Sequence, residues 1–226
     1  ELLARLRLVS EYYGQNREAV RQRLVDEARA RRTPQTEPTR PALAALGRPK
    51  VELSLEVVEH VTRTILQTAD PVHGGWGSQH KFPHPEAIDF ALVRWSQTGD
   101  PELLQLVRRT LRNMQDGEIH DRVEGGFYRY ATRPDWSVPH HEKMLDSNAQ
   151  RLFAYLDAYQ ALGEDSFRAT AEGVLRWMTS TLLDPETQAF RGSQDADPTY
   201  ARLASPEARQ RHGAPPCDPT VFSNWN

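Results

Sequence analysis

The sequence predicts an all-α protein built of antiparallel helical hairpins. Apolar side chains recur at helical spacing along most of the 226 residues, and no two segments alternate as a pair of strands would. The connections between the predicted helices also alternate between short and long, as they do in an up-and-down array. We therefore expect one end of the array to carry tight turns and the other end to carry the long loops.

The periodicity divides the chain into three predicted parts. A single apolar stripe at residues 1–32 predicts a leading helix, and the proline-rich residues 33–50 are typical of an extended tether. The main body spans residues 51–226, and Ser54 and Asp100 are predicted N-caps of its helices. The five helices predicted in this body lie at about 52–70, 85–98, 101–115, 142–162 and 165–183.

Composition excludes several classes of partner. A net charge of -3 provides no basic surface for nucleic acid, and no apolar run approaches the roughly 20 residues of a membrane-spanning helix. Cys217 is the sole cysteine, so a reducing, cytoplasmic compartment is the simplest interpretation. We expect a small-molecule ligand, no cofactor and no bound metal. The chain begins in a helical pattern at Glu1 and stops at Asn226 without a closing element, so we also expect it to act with the remainder of a longer protein.

Three long connections carry most of the chemistry. They span residues 70–85, 117–141 and 184–197, and they combine glycines and aromatic residues with histidines and carboxylates. A plain helix linker needs none of these residues, so such loops are typical of binding or catalytic sites. The first and third loops repeat one pattern, an Asp-Pro pair followed by a segment ending in Gly-Ser-Gln, and the second contributes a related Gly-Gly-Phe. Repeated hairpins of this kind favour a solenoid or a closed ring.

Four motifs support a more specific resemblance. They are Gly-Gly-Trp-Gly-Ser-Gln-His-Lys-Phe-Pro, then Gly-Gly-Phe-Tyr-Arg-Tyr with Asp-Trp-Ser-Val-Pro-His-His-Glu-Lys-Met-Leu, then Ser-Gln-Asp-Ala-Asp, then Ser-Asn-Trp-Asn. In this order they resemble the spermatogenesis-associated protein 20-like family of thioredoxin-domain proteins. The resemblance implies a thioredoxin-like domain, with residues 1–32 as its last helix. It further implies that residues 51–226 are the first half of an (α/α)6 toroid similar to N-acylglucosamine 2-epimerases and six-hairpin glycosidases.

The chain also departs from the pattern of that family. Gln79 and His80 stand where such proteins usually have Ala-Pro, and His141 stands where they have Phe. Asp146 and Ser147 replace the usual Tyr-Asp, which places the only carboxylate of this pair on a different side of a helix. The stretch that follows Asp197 is shorter than usual, which suggests a trimmed lid.

Candidate catalytic groups come from two of the long loops. Asp195 and Asp197 lie two residues apart, and Glu142 from the neighbouring loop is expected to converge on the same cavity. Paired carboxylates can divide acid and base roles or hold sugar hydroxyls. His140 precedes the predicted fourth helix, whose N-terminus would keep a histidine neutral, as a general base requires. These four residues are the predicted catalytic set. The alternative is that Asp195 only caps the next element and Glu142 only begins a helix.

Candidate binding groups are mainly aromatic and cationic. Aromatic rings stack on sugar rings, and arginine pairs with acidic groups. Phe82 and Phe127 are more simply explained as a plug in the mouth of a helical ring. The predicted substrate-binding residues are Trp76, His80, Lys81, Asp121, Arg129, Tyr130, Trp136 and His141.

Two functions remain open at this point. The first is a carbohydrate-active toroid protein, epimerase-like or glycosidase-like, that binds a sugar or a sugar derivative at its loop-rich mouth. The alternative is a non-catalytic toroid that binds a ligand or a protein and is coupled to a thioredoxin-like redox domain.

Overall fold

A computed structural model describes residues 15–19, 22, 23, 26 and 54–226. The chain divides into two units, Glu1–Leu53 and Ser54–Asn226. Apart from the few residues above, the helix predicted at 1–32 and the linker predicted at 33–50 lie outside the described part of the chain, so both stay predictions.

Helices dominate the second unit, at bounds close to those expected. They are α1 Leu55–Thr68, α2 Pro85–Thr98, α3 Pro101–Asp116, α4 Leu145–Leu162, α5 Asp165–Trp177, α6 Pro198–Ala201 and α7 Pro206–His212. The side chain of Asp100 caps α3 by accepting the Glu102 N–H at 2.9 Å, whereas Ser54 precedes α1 without a side-chain hydrogen bond. Both residues occupy the predicted N-cap positions, with a side-chain cap at Asp100 and none at Ser54.

The expectation of a protein without paired strands is wrong. Five two-residue strands are present, β1 Tyr130–Ala131, β2 Pro139–His140, β3 Lys143–Met144, β4 Ser193–Gln194 and β5 Cys217–Asp218. The first two pair antiparallel, and the other three form a sheet in the order β3-β4-β5. These segments are too short to produce a periodic signal, and they pair because the long loops must satisfy their backbone groups among themselves.

Two predicted helix boundaries also differ from the structure. The fourth helix was expected from residue 142 but begins at Leu145, because Lys143 and Met144 are paired with β4. The fifth was expected to run to residue 183. It ends as an α-helix at Trp177 and continues as a π-helical turn, Met178–Leu182.

The helices pack as two hairpins with α1 alongside. Short turns through Gly99 and Gly163 join α2 to α3 and α4 to α5, and both glycines have positive φ, as a helix C-terminus commonly requires. The hairpins meet through α2 and α4, and α1 packs against α2 and α3. Fully buried side chains such as Leu103 of α3 and Phe167 and Trp177 of α5 form the core. The long loops thus leave the hairpins at one end, and we name them loop A (69–84), loop B (117–142) and loop C (183–192).

Candidate functional site

One turn is built three times, once in each long loop. Asp70, Asp121 and Asp184 each accept backbone N–H groups two and three residues ahead on Oδ1. Each turn is then closed by a bridge between the residues flanking it, Ala69 with Trp76, His120 with Phe127 and Leu183 with Phe190. The first and third copies are the repeat expected from sequence. The copy at Asp121 is recognisable only by its Gly-Gly-Phe.

A basic side chain binds the second oxygen of each aspartate. The Lys81 ammonium contacts Asp70 Oδ2 at 2.7 Å, the Lys143 ammonium contacts Asp121 Oδ2 at 2.5 Å, and the Arg191 guanidinium contacts Asp184 Oδ2 at 3.1 Å. Burial alone would raise the pKa of Asp121, but the charge of Lys143 and hydrogen bonds from Arg209 and Lys143 outweigh it and lower the pKa to about 2. These aspartates are ionised scaffold groups at neutral pH.

The three loops meet at the same end of the helices. Loop A bonds to loop B where Lys81 and Ala131 exchange backbone hydrogen bonds, and the sequence after loop B joins the end of loop C where β3 pairs with β4. This is the arrangement expected from the alternation of short and long connections.

A cleft of about 590 Å³ opens beside loop B. One wall comes from loop B, with His120, Tyr128 and His141, and the other from residues 201–209, with Arg202 and Arg209. Its volume falls in the range of roughly 300–1,000 Å³ typical of small-molecule sites. We call this cavity the cleft. It adjoins a small pocket of about 10 Å³ lined by Asp121, Tyr128, His141, Lys143, Gln194, Asp195, Asp197, Tyr200, Ala201 and Pro215.

His120 lies in the cleft with a defined tautomer. Its Nδ1 is 3.0 Å from the carbonyl oxygen of Gln115, and because a carbonyl can only accept, Nδ1 must carry the proton. The imidazole stacks on Phe127 with ring centroids 4.7 Å apart. Burial lowers the pKa of His120 below its usual value, so at neutral pH the ring is uncharged and Nε2 has a free lone pair.

His141 is the second neutral imidazole of the cleft. Its ring meets Tyr128 edge-on at 4.9 Å. Burial, and next the positive charge of Arg202, lower the pKa of His141 below its ordinary value. Burial keeps Tyr128 protonated by raising its pKa, so its hydroxyl is a hydrogen-bond donor at neutral pH.

Four predicted residues lie in the cleft or the small pocket, but their roles differ. Asp121 lines both cavities, with its two oxygens engaged as described above, and His141 also lines both. Asp197 lines the small pocket and caps α6 by accepting the Thr199 and Tyr200 N–H groups. Asp195 lines the small pocket too, and its side chain is exposed.

Six further predicted residues lie on a different, open surface made by loops A and B. Tyr130 stacks on His140 at 5.4 Å and on Phe82 at 4.8 Å, and His80 meets Tyr130 edge-on. Phe82, one of the two predicted plug residues, is 45% exposed, whereas Phe127 is fully buried. The other three residues are Trp76, Arg129 and Glu142. The indole N–H of Trp76 donates to the carbonyl of Ile65, and Arg129 and Glu142 form an ion pair at 2.8 Å.

The predicted convergence of Glu142 with Asp195 and Asp197 is wrong. The pairing of Lys143 with Gln194 brings the neighbouring Glu142 beside Asp195, but Glu142 does not line the small pocket, because Arg129 holds its carboxylate. His140 likewise belongs to β2 and does not precede a helix directly, so the argument that a helix N-terminus keeps it neutral does not apply.

Burial contradicts a ligand contact for two predicted binding residues. Lys81 and Trp136 are both 0% exposed. The Lys81 ammonium binds Asp70 and the Gly74 carbonyl, and the Trp136 indole donates to the His73 carbonyl at 3.0 Å. The Lys81 side chain thus stabilises loop A internally, and the Trp136 side chain joins loop B to loop A.

Sequence reasoning missed several residues of the cleft. His120 precedes the aspartate of the second turn, and a comparison of all three turns would have drawn attention to it. Tyr128 belongs to the Gly-Gly-Phe-Tyr-Arg-Tyr motif but was not among the predicted site residues. Arg202 and Arg209 carry no local signal, because only folding brings residues 201–209 to loop B. Within the described residues, no group of three or more His, Cys, Asp or Glu side chains could hold a metal ion. No described helix is long and apolar enough to cross a membrane.

Comparison with known proteins gives several curated relatives. The chain is 34% identical over 143 residues to spermatogenesis-associated protein 20 of Mus musculus, covering 61% of this chain and 18% of the relative. This chain is therefore similar in sequence to one part of spermatogenesis-associated protein 20. Identity to the Homo sapiens protein is 35% over 147 residues, with 63% and 18% covered, and identity to uncharacterized protein B0495.5 of Caenorhabditis elegans is 28% over 153 residues, with 65% and 21% covered. The chain spans about a fifth of the length of these relatives. No protein-family model matches it.

Solved structures show the fold. A sugar epimerase from a ruminal bacterium superposes with a TM-score of 0.56 at 17% identity, covering 68% of this chain and 42% of that chain. Cellobiose 2-epimerase from Spirochaeta thermophila gives a TM-score of 0.55 at 15% identity, with 62% and 40% covered, and D-mannose isomerase gives 0.51 at 12%, with 70% and 43% covered. The described part therefore has the fold of a portion of an (α/α)6 toroid, as the motifs predicted. The thioredoxin-like domain remains a prediction.

Proposed function

We propose that the protein binds a sugar or a sugar derivative in the cleft and that His120 moves a proton of that ligand. The observation that supports this most directly is the state of His120, a neutral imidazole that lines a cavity of ligand size and whose Nδ1–H is held by the Gln115 carbonyl, so that Nε2 carries the lone pair. A general base needs this arrangement. The structural relatives include proteins named as sugar epimerases and an isomerase, which gives the proposal its substrate class.

The neighbouring groups suit an epimerase-like or isomerase-like step better than hydrolysis. His141 is a second neutral imidazole on the same wall of the cleft, so one ring can accept a proton from the ligand while the other takes a proton from water and passes it to the ligand. Glycoside hydrolysis needs two free carboxylates flanking a bond. Of the predicted carboxylates, Asp121 and Glu142 are held in ion pairs and Asp197 caps a helix.

The test is binding and proton exchange with a sugar panel. The purified protein is titrated with glucose, mannose, N-acetylglucosamine and cellobiose, and exchange of the C2 proton in deuterated water is followed by NMR. We expect one sugar to bind, His120→Gln to abolish exchange while binding is retained, and His60→Gln, an exposed histidine on α1, to change neither. Unchanged exchange in His120→Gln would contradict the proposed base.

A specific observation also supports the non-catalytic alternative. Most of the predicted catalytic carboxylates serve the scaffold, which suits a toroid that binds without turnover and works together with a thioredoxin-like domain. Sugar binding without C2 exchange, or binding of a protein and of no sugar, would favour this reading.

A further inference from the structure

We propose that residues 195–216 form a strap that is latched to loop B through Arg209 and that its docking completes the cleft. This inference rests on the proposed function only for the identity of the ligand. The latch itself is argued from contacts within the protein.

The strap is a loop with a closed neck. β4 and β5, which precede and follow it, pair antiparallel, and the Asp195 N–H donates to the Pro216 carbonyl at 2.9 Å. The strap therefore leaves and rejoins the sheet at one point. A loop held in this way can move as a unit while the sheet stays paired.

Arg209 joins the two halves of the strap to loop B. Inside the strap its guanidinium donates to the carbonyls of Leu203 at 3.1 Å and Ala201 at 3.2 Å. Toward loop B it reaches Asp121 Oδ2 at 2.6 Å and Glu124 Oε2 at 3.2 Å. The side chain is only 3% exposed, although it lies on a seven-residue helix at the protein surface.

Loop A contains the same turn without an arginine latch, so the turn does not need the latch in order to fold. Asp70 and Lys81 in loop A repeat the arrangement of Asp121 and Lys143, including a lysine hydrogen bond to a glycine carbonyl, and no arginine covers them in the described structure. If Arg209 leaves, Asp121 keeps its lysine and its backbone donors. Opening therefore leaves Asp121 with its partners and Glu124 with Lys143 at 3.9 Å, and the guanidinium regains water.

Opening would remove one wall of the cleft. Residues 201–204 and Arg209 line it from the strap side, opposite His120 and His141. A ligand held between the two walls contacts both of them only in the closed state. Its binding must therefore stabilise closure, and closure must strengthen its binding by the same factor.

Hydrogen exchange of backbone amides tests the latch in the full chain. We expect Arg209→Met to speed exchange across residues 196–215 about tenfold, the effect of losing a charged hydrogen bond, while α3 and α4 exchange as before. The matched control is Arg211→Met, an exposed arginine on the same helix. Unchanged exchange in the strap, or equal acceleration throughout the core, would overturn the latch.

The coupling between strap and ligand is tested with the same panel of sugars. A sugar that binds should slow exchange in the strap of the unmodified protein, and Arg209→Met should weaken its binding. If a sugar binds without slowing amide exchange in the strap, the proposed coupling between the strap and the ligand is wrong and the proposed function stands. If no sugar of the panel binds, the proposed function fails, and the exchange rates of Arg209→Met still decide the latch.

Discussion

Lys81 and Lys143 occupy equivalent positions in two copies of one loop turn. Each ammonium binds the aspartate that begins the turn and the carbonyl of the first glycine that ends it, Gly74 or Gly125. Each also lies over an indole ring, Lys81 5.3 Å from the Trp136 centroid and Lys143 5.1 Å from that of Trp177. A contact set that recurs at two places in the fold belongs to the scaffold, and this explains why these lysines are buried.

The first prediction concerns the ion pair between Lys81 and Asp70. Lys81→Met should lower the free energy of unfolding by about 3 kcal/mol, because Asp70 loses its cation while its carboxylate stays largely enclosed. Adding Asp70→Asn should recover part of the loss, since no charge is then left alone. Urea unfolding monitored by circular dichroism measures both, and additive effects of the two changes would contradict direct pairing.

Acid should destabilise the fold over a defined pH range. For Asp70 burial opposes the shift, but hydrogen bonds from Lys81 and from backbone amides lower the pKa to about 2, as for Asp121. Because both folded pKa values lie below the unfolded value of about 3.9, the stabilisation is fully present above that value and is lost as the pH falls toward 2. Each aspartate should contribute about 2 kcal/mol.

Thermal unfolding at several pH values between 2 and 6 measures this loss. In Asp121→Asn the decline below pH 4 should be shallower, although the stability at neutral pH is lower. If the stability of this variant declines as steeply as that of the unmodified protein, other carboxylates must determine the loss of stability in acid.

A third prediction follows from an unpaired cation on α4. Arg151 is buried, donates to the Arg129 carbonyl, and leaves Nε and Nη1 without partners, while the Ser147 hydroxyl one turn earlier is also buried and unpartnered. Burial lowers the pKa of Arg151 to about 10. Ser147→Asp places a carboxylate four residues before the guanidinium and should raise the free energy of unfolding by about 1 kcal/mol.

The control for Ser147→Asp is the same change in an Arg151→Met background. The gain should vanish there, because the added carboxylate has no cation to meet. An equal gain with and without Arg151 would assign the effect to the helix N-terminus instead.

Two glycines with positive φ should respond differently to alanine. At Gly125 an added Cβ would collide with the Gly173 backbone, which cannot move without separating loop B from α5, whereas at Gly163 nothing lies within 4 Å. Gly163→Ala should therefore cost only about 1 kcal/mol for the left-handed backbone. Gly125→Ala should cost more than about 3 kcal/mol by overpacking as well. Similar melting temperatures for the two variants would contradict the close approach of loop B to α5.

The sequence alone was sufficient for the helices and for the end of the molecule that carries the loops. Apolar periodicity places α2 and α3 at the predicted residues, because a helix buries one stripe and the stripe is a local pattern. Likewise the alternation of short and long links puts loops A, B and C together, because an antiparallel hairpin returns the chain to the same end. The cap at Asp100 followed from chemistry local to one turn.

Tertiary structure alone decided which polar residues are available to a ligand. Lys81 and Glu142 look reactive in a sequence, yet each is held by a partner that lies 11 or 13 residues away. Arg209 and Asp121 are 88 residues apart and meet only after the strap folds back on loop B. A charged side chain in a motif can be a ligand contact or a buried brace, and the difference is set by the partner that folding brings within hydrogen-bond distance.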